Sequence, residues 1–139
     1  MTRDQVLGFV KANPASFMAT VDGGQPRVRA MHTALIEPVG LTFCTGVNKD
    51  VHRQLVANPS VELAYWDPKA GVQVRVRGAM EHLDDLDLKK RIVNDVFTFL
   101  KPVVEQFGYD VLSLFRLAKG TSIVWRATQG TAPLEVAEF

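Results

Sequence analysis

The chain has 139 residues, 47% of them hydrophobic and 22% charged, with a formal net charge of +1. This balance excludes wholesale disorder and argues against a nucleic-acid binder held by phosphate neutralisation. One domain, spanning residues 1–139, is the expectation for this length. The first segment, MTRDQVLGFVKANP, mixes charges among its apolar residues and does not read as a signal peptide. Thr2 with Gln5 forms a capping-box pattern, and Val6, Leu7, Phe9 and Val10 recur at helical spacing until Asn13-Pro14 stops the element.

A strand over Ala15–Val21, a turn at Asp22-Gly23-Gly24-Gln25 and a strand over Pro26–Leu35 then read as a hairpin. Leu41–Thr45 reads as a third strand and contains Cys44, the only cysteine. A lone cysteine excludes an intramolecular disulfide and a cysteine-only metal site, and fits a reducing cytoplasm. A short helix over Lys49–Ala57 follows, ended by Asn58-Pro59. Val61–Trp66 and Val72–Leu83 read as a second hairpin. Asp84 or Asp85 is placed to cap a helix with Leu86, Ile92, Val93, Val96, Phe97 and Leu100 on one face, interrupted at Lys101-Pro102, with a further turn to Phe107-Gly108. Leu112–Leu117 and Ser122–Thr128 read as a closing hairpin around Lys119-Gly120. Seven strands with few helices point to a barrel or sandwich with helices at its ends. No apolar run approaches membrane-spanning length, so no membrane partner is expected.

Charge is unevenly placed along these elements. Seven Lys/Arg face four Asp/Glu between Gly24 and Met80, against seven and nine from Glu81 onward. Two stretches concentrate the chemistry: Phe17–Met31, carrying Arg27 and Arg29, and Phe43–Leu55, with Lys49 near a helix tip. In a strand, Arg27, Arg29 and Met31 share one face while Val28 and Ala30 turn to the other. Two fixed cations beside a helix N-terminus suit a phosphate. The alternative for the arginines is a solvated strand face, and for Asn48 and Lys49 an N-cap and a surface lysine. His32, His52 and His82 lack metal-ligand spacing, so no metal is expected, and nothing in the sequence pairs them with Cys44 or a serine as a nucleophile and base.

The ordered segments ATVDGGQPRVRAM, FCTGVNKDVHRQL, NPSVELAYW, VQVRVRGAMEHL and FRLAKGTSIVWRATQG resemble the FMN-binding split barrels related to pyridoxamine 5′-phosphate oxidase. The resemblance runs from about Ala15 to Gly130 and implies a mainly β fold with flanking helices (α+β), a split β-barrel of six to seven antiparallel strands. It further implies a homodimer with one FMN per subunit in the groove between subunits. On this likeness, Arg27, Val28, Arg29, Ala30 and Met31 match the strand that runs under the flavin. Thr45 matches the strand-end hydroxyl, and Asn48 and Lys49 the polar-plus-lysine pair at the helix start. Gln73 matches a family glutamine that contacts the flavin from a neighbouring strand; an outward polar position of an alternating strand reads equally well. Trp125 resembles the tryptophan of the last strand, often contributed by the partner subunit, or else serves as core or interface filler.

The chain also departs from that pattern. True pyridoxamine phosphate oxidases carry an arginine–histidine cluster after the tryptophan strand, whereas no Arg, Lys or His follows Arg126 here. That argues against oxidation of vitamin B6. The expectation is a small cytoplasmic FMN-dependent oxidoreductase acting on an unidentified small molecule, with hydride or electrons passing through the flavin and no side chain assigned as acid or base. A non-catalytic flavin-binding or electron-transfer protein would carry the same motifs. A haem- or deazaflavin-binding split barrel is the remaining alternative, with His32, His52 or His82 as the available haem ligands.

Overall fold

A computed structural model describes residues 1–139. Helix α1 (Arg3–Ala12) opens the chain under its capping box: the Gln5 amide donates to Thr2 Oγ1 at 3.2 Å and the Thr2 amide to Gln5 Oε1 at 2.8 Å. Strands β1 (Ala15–Asp22) and β2 (Gln25–His32) form the first hairpin in full register, from Ala15 opposite His32 to Asp22 opposite Gln25. Gly23, at φ +62°, supplies the left-handed residue that its tight turn requires. There follow β3 (Leu35–Glu37), β4 (Gly40–Gly46), α2 (Asp50–Ala57), β5 (Ser60–Asp67), β6 (Val72–Ala79) and β7 (Glu81–Leu83). Helices α3 (Leu86–Asp95) and α4 (Lys101–Phe107), then β8 (Leu112–Leu117), β9 (Gly120–Arg126) and β10 (Glu135–Glu138) complete the chain.

The strands form two antiparallel sheets, one of six in the order β10-β9-β6-β5-β1-β2 and one of four in the order β3-β4-β8-β7. Ten strands appear where seven were expected, for two reasons. The long runs Pro26–Leu35 and Val72–Leu83 each bend from one sheet into the other, at Thr33-Ala34 and at Met80. The first corner is pinned by a 2.8 Å hydrogen bond between the Thr33 and Tyr65 hydroxyls, and the second by the Met80 amide donating to Pro59 O at 2.8 Å. The C-terminal segment adds β10, and Phe139 just beyond it exchanges backbone hydrogen bonds with Gly120 and buries its ring. The expected closing hairpin is absent. β8 and β9 lie in different sheets, and the chain crosses between them at Ala118-Lys119. Alternation within each strand is legible locally, but a change of sheet is not.

One core fills the space between the sheets, built from Met18, Phe43, Leu63, Tyr65, Val74, Phe115 and the inner face of α1. A smaller cluster of Ala34, Leu35, Ile92 and Leu114 seats α3. Asp85 caps α3 by accepting from the Leu88 amide at 2.9 Å. α3 stops at Asp95, earlier than the apolar spacing suggests, and Pro102 sits in the first turn of α4, where its missing N–H is harmless. The segment from Val96 to Phe107 therefore wraps the barrel's open end as short turns.

Candidate functional site

The edge strand β2, the end of β4 and the start of α2 meet at a groove with two connected compartments. One, of about 680 Å³, is polar; the other, of about 1020 Å³, is apolar. They share Met31, Thr45 and Lys49. Of the residues matched from sequence, Arg27, Val28 and Arg29 border the polar compartment, Ala30 and Asn48 the apolar one, and Met31, Thr45 and Lys49 both. The structure thus brings eight of the ten together.

Arg27 and Arg29 share a strand face but sit in different surroundings. Arg29 is half-buried: its Nη1 donates to Met18 O at 3.2 Å and to Thr20 Oγ1 at 2.8 Å, and its Nη2 to Gln54 Oε1. Thr20 in turn donates to Gln54 Oε1 at 2.7 Å, and both Thr20 and Gln54 are buried. Burial pulls the Arg29 pKa down, opposed by the carboxylate of Asp50. Arg29 is therefore a locked cation that holds β2 against α2. Arg27 is exposed and lies 3.5 Å from Asp22, which also pairs with Arg53 through bonds of 3.1 and 3.2 Å. Hydrogen bonding from Arg53 is the main cause holding the Asp22 carboxyl below its ordinary range. An exposed guanidinium at a weak pair can leave it for a better anion.

Lys49 is the N-cap of α2 and contributes no capping side chain. The amides of Asp50, Val51 and His52 accordingly find no acceptor in the chain. Such amides and the helix dipole favour an anion. Gly46 lets the preceding loop close, since a Cβ there would come within 2.8 Å of Asn48 Oδ1. Asn48 is thus a loop residue rather than the helix cap.

Gln73 and Trp125 lie elsewhere. They pair with each other across β6 and β9, and β6 stands three strands from β2 in the sheet. At the usual strand spacing that is roughly 14 Å for β6 and roughly 19 Å for β9. Gln73 is not on a strand neighbouring the flavin strand of its own chain, because β5 and β1 intervene. Register puts both residues on the outer sheet face, with Phe17, Val28 and Trp66. Phe17 is 62% and Val28 68% exposed.

Sequence reading missed three features. Gln54 and Thr20, which orient Arg29, carry no local signal because α2 and β1 are distant in sequence. The apolar compartment is lined by Phe97, Phe99, Leu100 and Phe107 of the wrapping segment, joined to the barrel by His32, whose ring meets Phe97 edge-on at 5.9 Å. The histidines are also not all unpaired. His52 Nδ1 and His82 Nε2 both hydrogen-bond Ser113 Oγ, at 2.8 and 3.1 Å, a pairing that spacing along the sequence does not reveal. Ser113 is buried, and the cluster braces α2 against β7 and β8. Cys44 lines the apolar compartment, and burial pushes its thiol up to about 11.

No group of three or more His, Cys, Asp or Glu is placed to hold a metal, and no helix is long and apolar enough to cross a membrane. A family model described as pyridoxamine 5′-phosphate oxidase matches residues 2–111. Among curated proteins, pyridoxine/pyridoxamine 5′-phosphate oxidase of Microcystis aeruginosa is 23% identical over 73% of this chain and 44% of its own length. The enzyme of that name from Pseudomonas paraeruginosa is 28% identical over 68% of this chain and 41% of its own length. The chain therefore spans less than half the length of the curated relatives it matches. Among solved structures, a NimC/NimA family protein of Clostridium acetobutylicum has a TM-score of 0.78 at 20% identity, covering 100% of this chain and 94% of that one. A FAD-binding protein of Mesorhizobium loti has a TM-score of 0.64 at 20% identity, covering 85% of this chain and 89% of that one. A heme binding protein of Mycobacterium smegmatis has a TM-score of 0.70 at 15% identity, covering 96% of this chain and 56% of that one. At these identities the likeness is one of fold.

Proposed function

The chain belongs to the pyridoxamine 5′-phosphate oxidase family, and from that premise we propose that it binds FMN and serves as an oxidoreductase for a small organic molecule. One observation carries the reading: Arg27, Arg29 and Lys49 border one compartment, beside three helix amides with no acceptor in the chain. A doubly negative phosphate monoester satisfies that donor set. Arg29, fixed by Thr20 and Gln54, provides a charge that needs no reordering. Arg27 and Lys49 close on the anion from either side, and Thr45 offers a hydroxyl at the junction. The flavin supplies the redox chemistry when bound. The protein supplies position, charge and an apolar wall, and no side chain is assigned as acid or base.

The working unit in this reading is a homodimer with the flavin in the groove between subunits. What supports it is the outer sheet face, where Phe17, Val28, Trp66 and Trp125 expose apolar surface of the kind that a second copy covers. Gln73 and Trp125 would then reach a partner's groove rather than their own. The lone thiol suits a reducing cytoplasm.

A second reading, haem binding, has one specific feature in its favour: His32 is the only histidine lining the apolar compartment, while His52 and His82 are engaged with Ser113. The absorbance spectrum of protein reconstituted with each cofactor separates the two, a flavin pattern being expected and a Soret band with axial ligation by His32 overturning the FMN reading. Arg27→Ala and Lys49→Ala should each weaken FMN binding about tenfold to a hundredfold, from ~1.5–3 kcal/mol per charge-assisted contact. Unchanged affinity in both variants removes the phosphate site. Sedimentation of the wild-type protein at micromolar concentration should give a dimer, and a monomer alone would remove the shared groove.

A further inference from the structure

The groove is larger and more divided than one nucleotide requires. A typical pocket for a single small ligand is ~300–1,000 Å³, and here an apolar compartment of about 1020 Å³ lies beside a separate polar one of about 680 Å³. We propose that the apolar compartment is a second ligand site, for a flat, uncharged aromatic molecule, with Phe97, Phe99 and Phe107 setting that preference. The inference rests on the FMN reading of the polar compartment and deepens it by naming a substrate class.

The chemistry of the walls carries the assignment. Twelve of the seventeen lining residues are hydrophobic, none is acidic, and Lys49, the sole Lys or Arg, stands at the junction with the polar compartment. Away from that junction an ionic ligand would lose its water and find no charged partner. Phosphate is better served next door, because Arg27, Arg29 and Arg53 all border the other compartment and Lys49 stands between the two.

The wall is also aromatic in a specific way. His32 meets Phe97 edge-on at 5.9 Å, and Phe97 meets Phe99 at 5.5 Å, forming a continuous ring-lined side. Phe99 is 73% and Phe107 62% exposed, an unfavourable state for a large apolar side chain that an aromatic ligand would relieve. Asn48 and His32 supply the few polar groups, enough to orient one uncharged hydroxyl or carbonyl substituent. Cys44, half-buried in the same wall, keeps its thiol protonated at neutral pH and so adds no charge.

Calorimetric titration of the full chain with 2-naphthol and 2-naphthoate, with and without saturating FMN, tests this. These probes share a ring system and differ in charge. The FMN-loaded protein should bind 2-naphthol and take up 2-naphthoate at least about tenfold more weakly. Phe99→Ser and Phe107→Ser, at exposed positions the fold does not need, should each weaken 2-naphthol about tenfold while leaving FMN affinity unchanged, the scale of one lost aromatic contact. Equal binding of the two probes, unaltered 2-naphthol binding in both variants, no 2-naphthol binding, or its loss when FMN is added would each overturn the proposal. If 2-naphthol binds as expected but FMN does not bind at all, the flavin reading fails and the aromatic site stands.

Discussion

The two compartments of the groove share a border and are built in opposite ways. The polar one is made by the β1–β2 hairpin and the first turns of α2, and its central cation is held by named hydrogen bonds to Met18, Thr20 and Gln54. The apolar one is closed by the short turn between α3 and α4 and by α4 itself, where Phe99 and Phe107 stay exposed. Charge needs rigid, satisfied partners to be useful for binding, because an anion rewards donors already in place. Apolar recognition is non-directional and tolerates a looser wall. The difference teaches that a cofactor end and a substrate end can be separated within one groove by how much order each demands.

That contrast can be broken at Cys44, which reports on the apolar compartment. With its thiol raised from the ordinary 9.0 to about 11 by burial, the thiolate fraction at neutral pH falls about a hundredfold. Alkylation by iodoacetamide should be correspondingly slow at neutral pH and accelerate only as pH approaches about 11. Labelling at the rate of a free cysteine would mean that the compartment is wet. Because the folded-state value is raised, the protonated thiol's contribution to stability is complete below pH 9.0 and is lost as pH rises through about 11.

A smaller effect sharpens the polar side. Gln54→Ala removes the acceptor shared by Arg29 and Thr20, and leaving buried donors unsatisfied should lower unfolding free energy by ~2 kcal/mol in urea titration. Arg27→Ala, in the same compartment, should change stability by less than ~0.5 kcal/mol, since an exposed pair contributes little. If the two variants were equally destabilised, the distinction between a locked and a free arginine would be wrong.

Much of this site is legible residue by residue. The alternation in RVRAM puts Arg27, Arg29 and Met31 on one face, and that is where they are. The Thr2–Gln5 box and the Asp85 cap are set by residues within one turn of each other. The strand breaks at Thr33 and Met80 are less legible, because a bend into another sheet leaves the period-two pattern intact. Asn48 gave the wrong helix cap by one position, since loop closure over Gly46 takes its side chain.

Local pattern alone determined the first two hairpins, the starts of α1 and α3, the shared face of the two arginines and the family to which those segments are similar, because each depends on contacts within a few residues. Tertiary structure decided which strands became neighbours, and with that it separated Gln73 and Trp125 from the groove of their own chain. It also chose the partners of Arg29, joined His52 and His82 through Ser113 and turned residues 96–107 into a wall. These outcomes depend on closing the chain over tens of residues, where position in three dimensions, not spacing along the sequence, selects the neighbour.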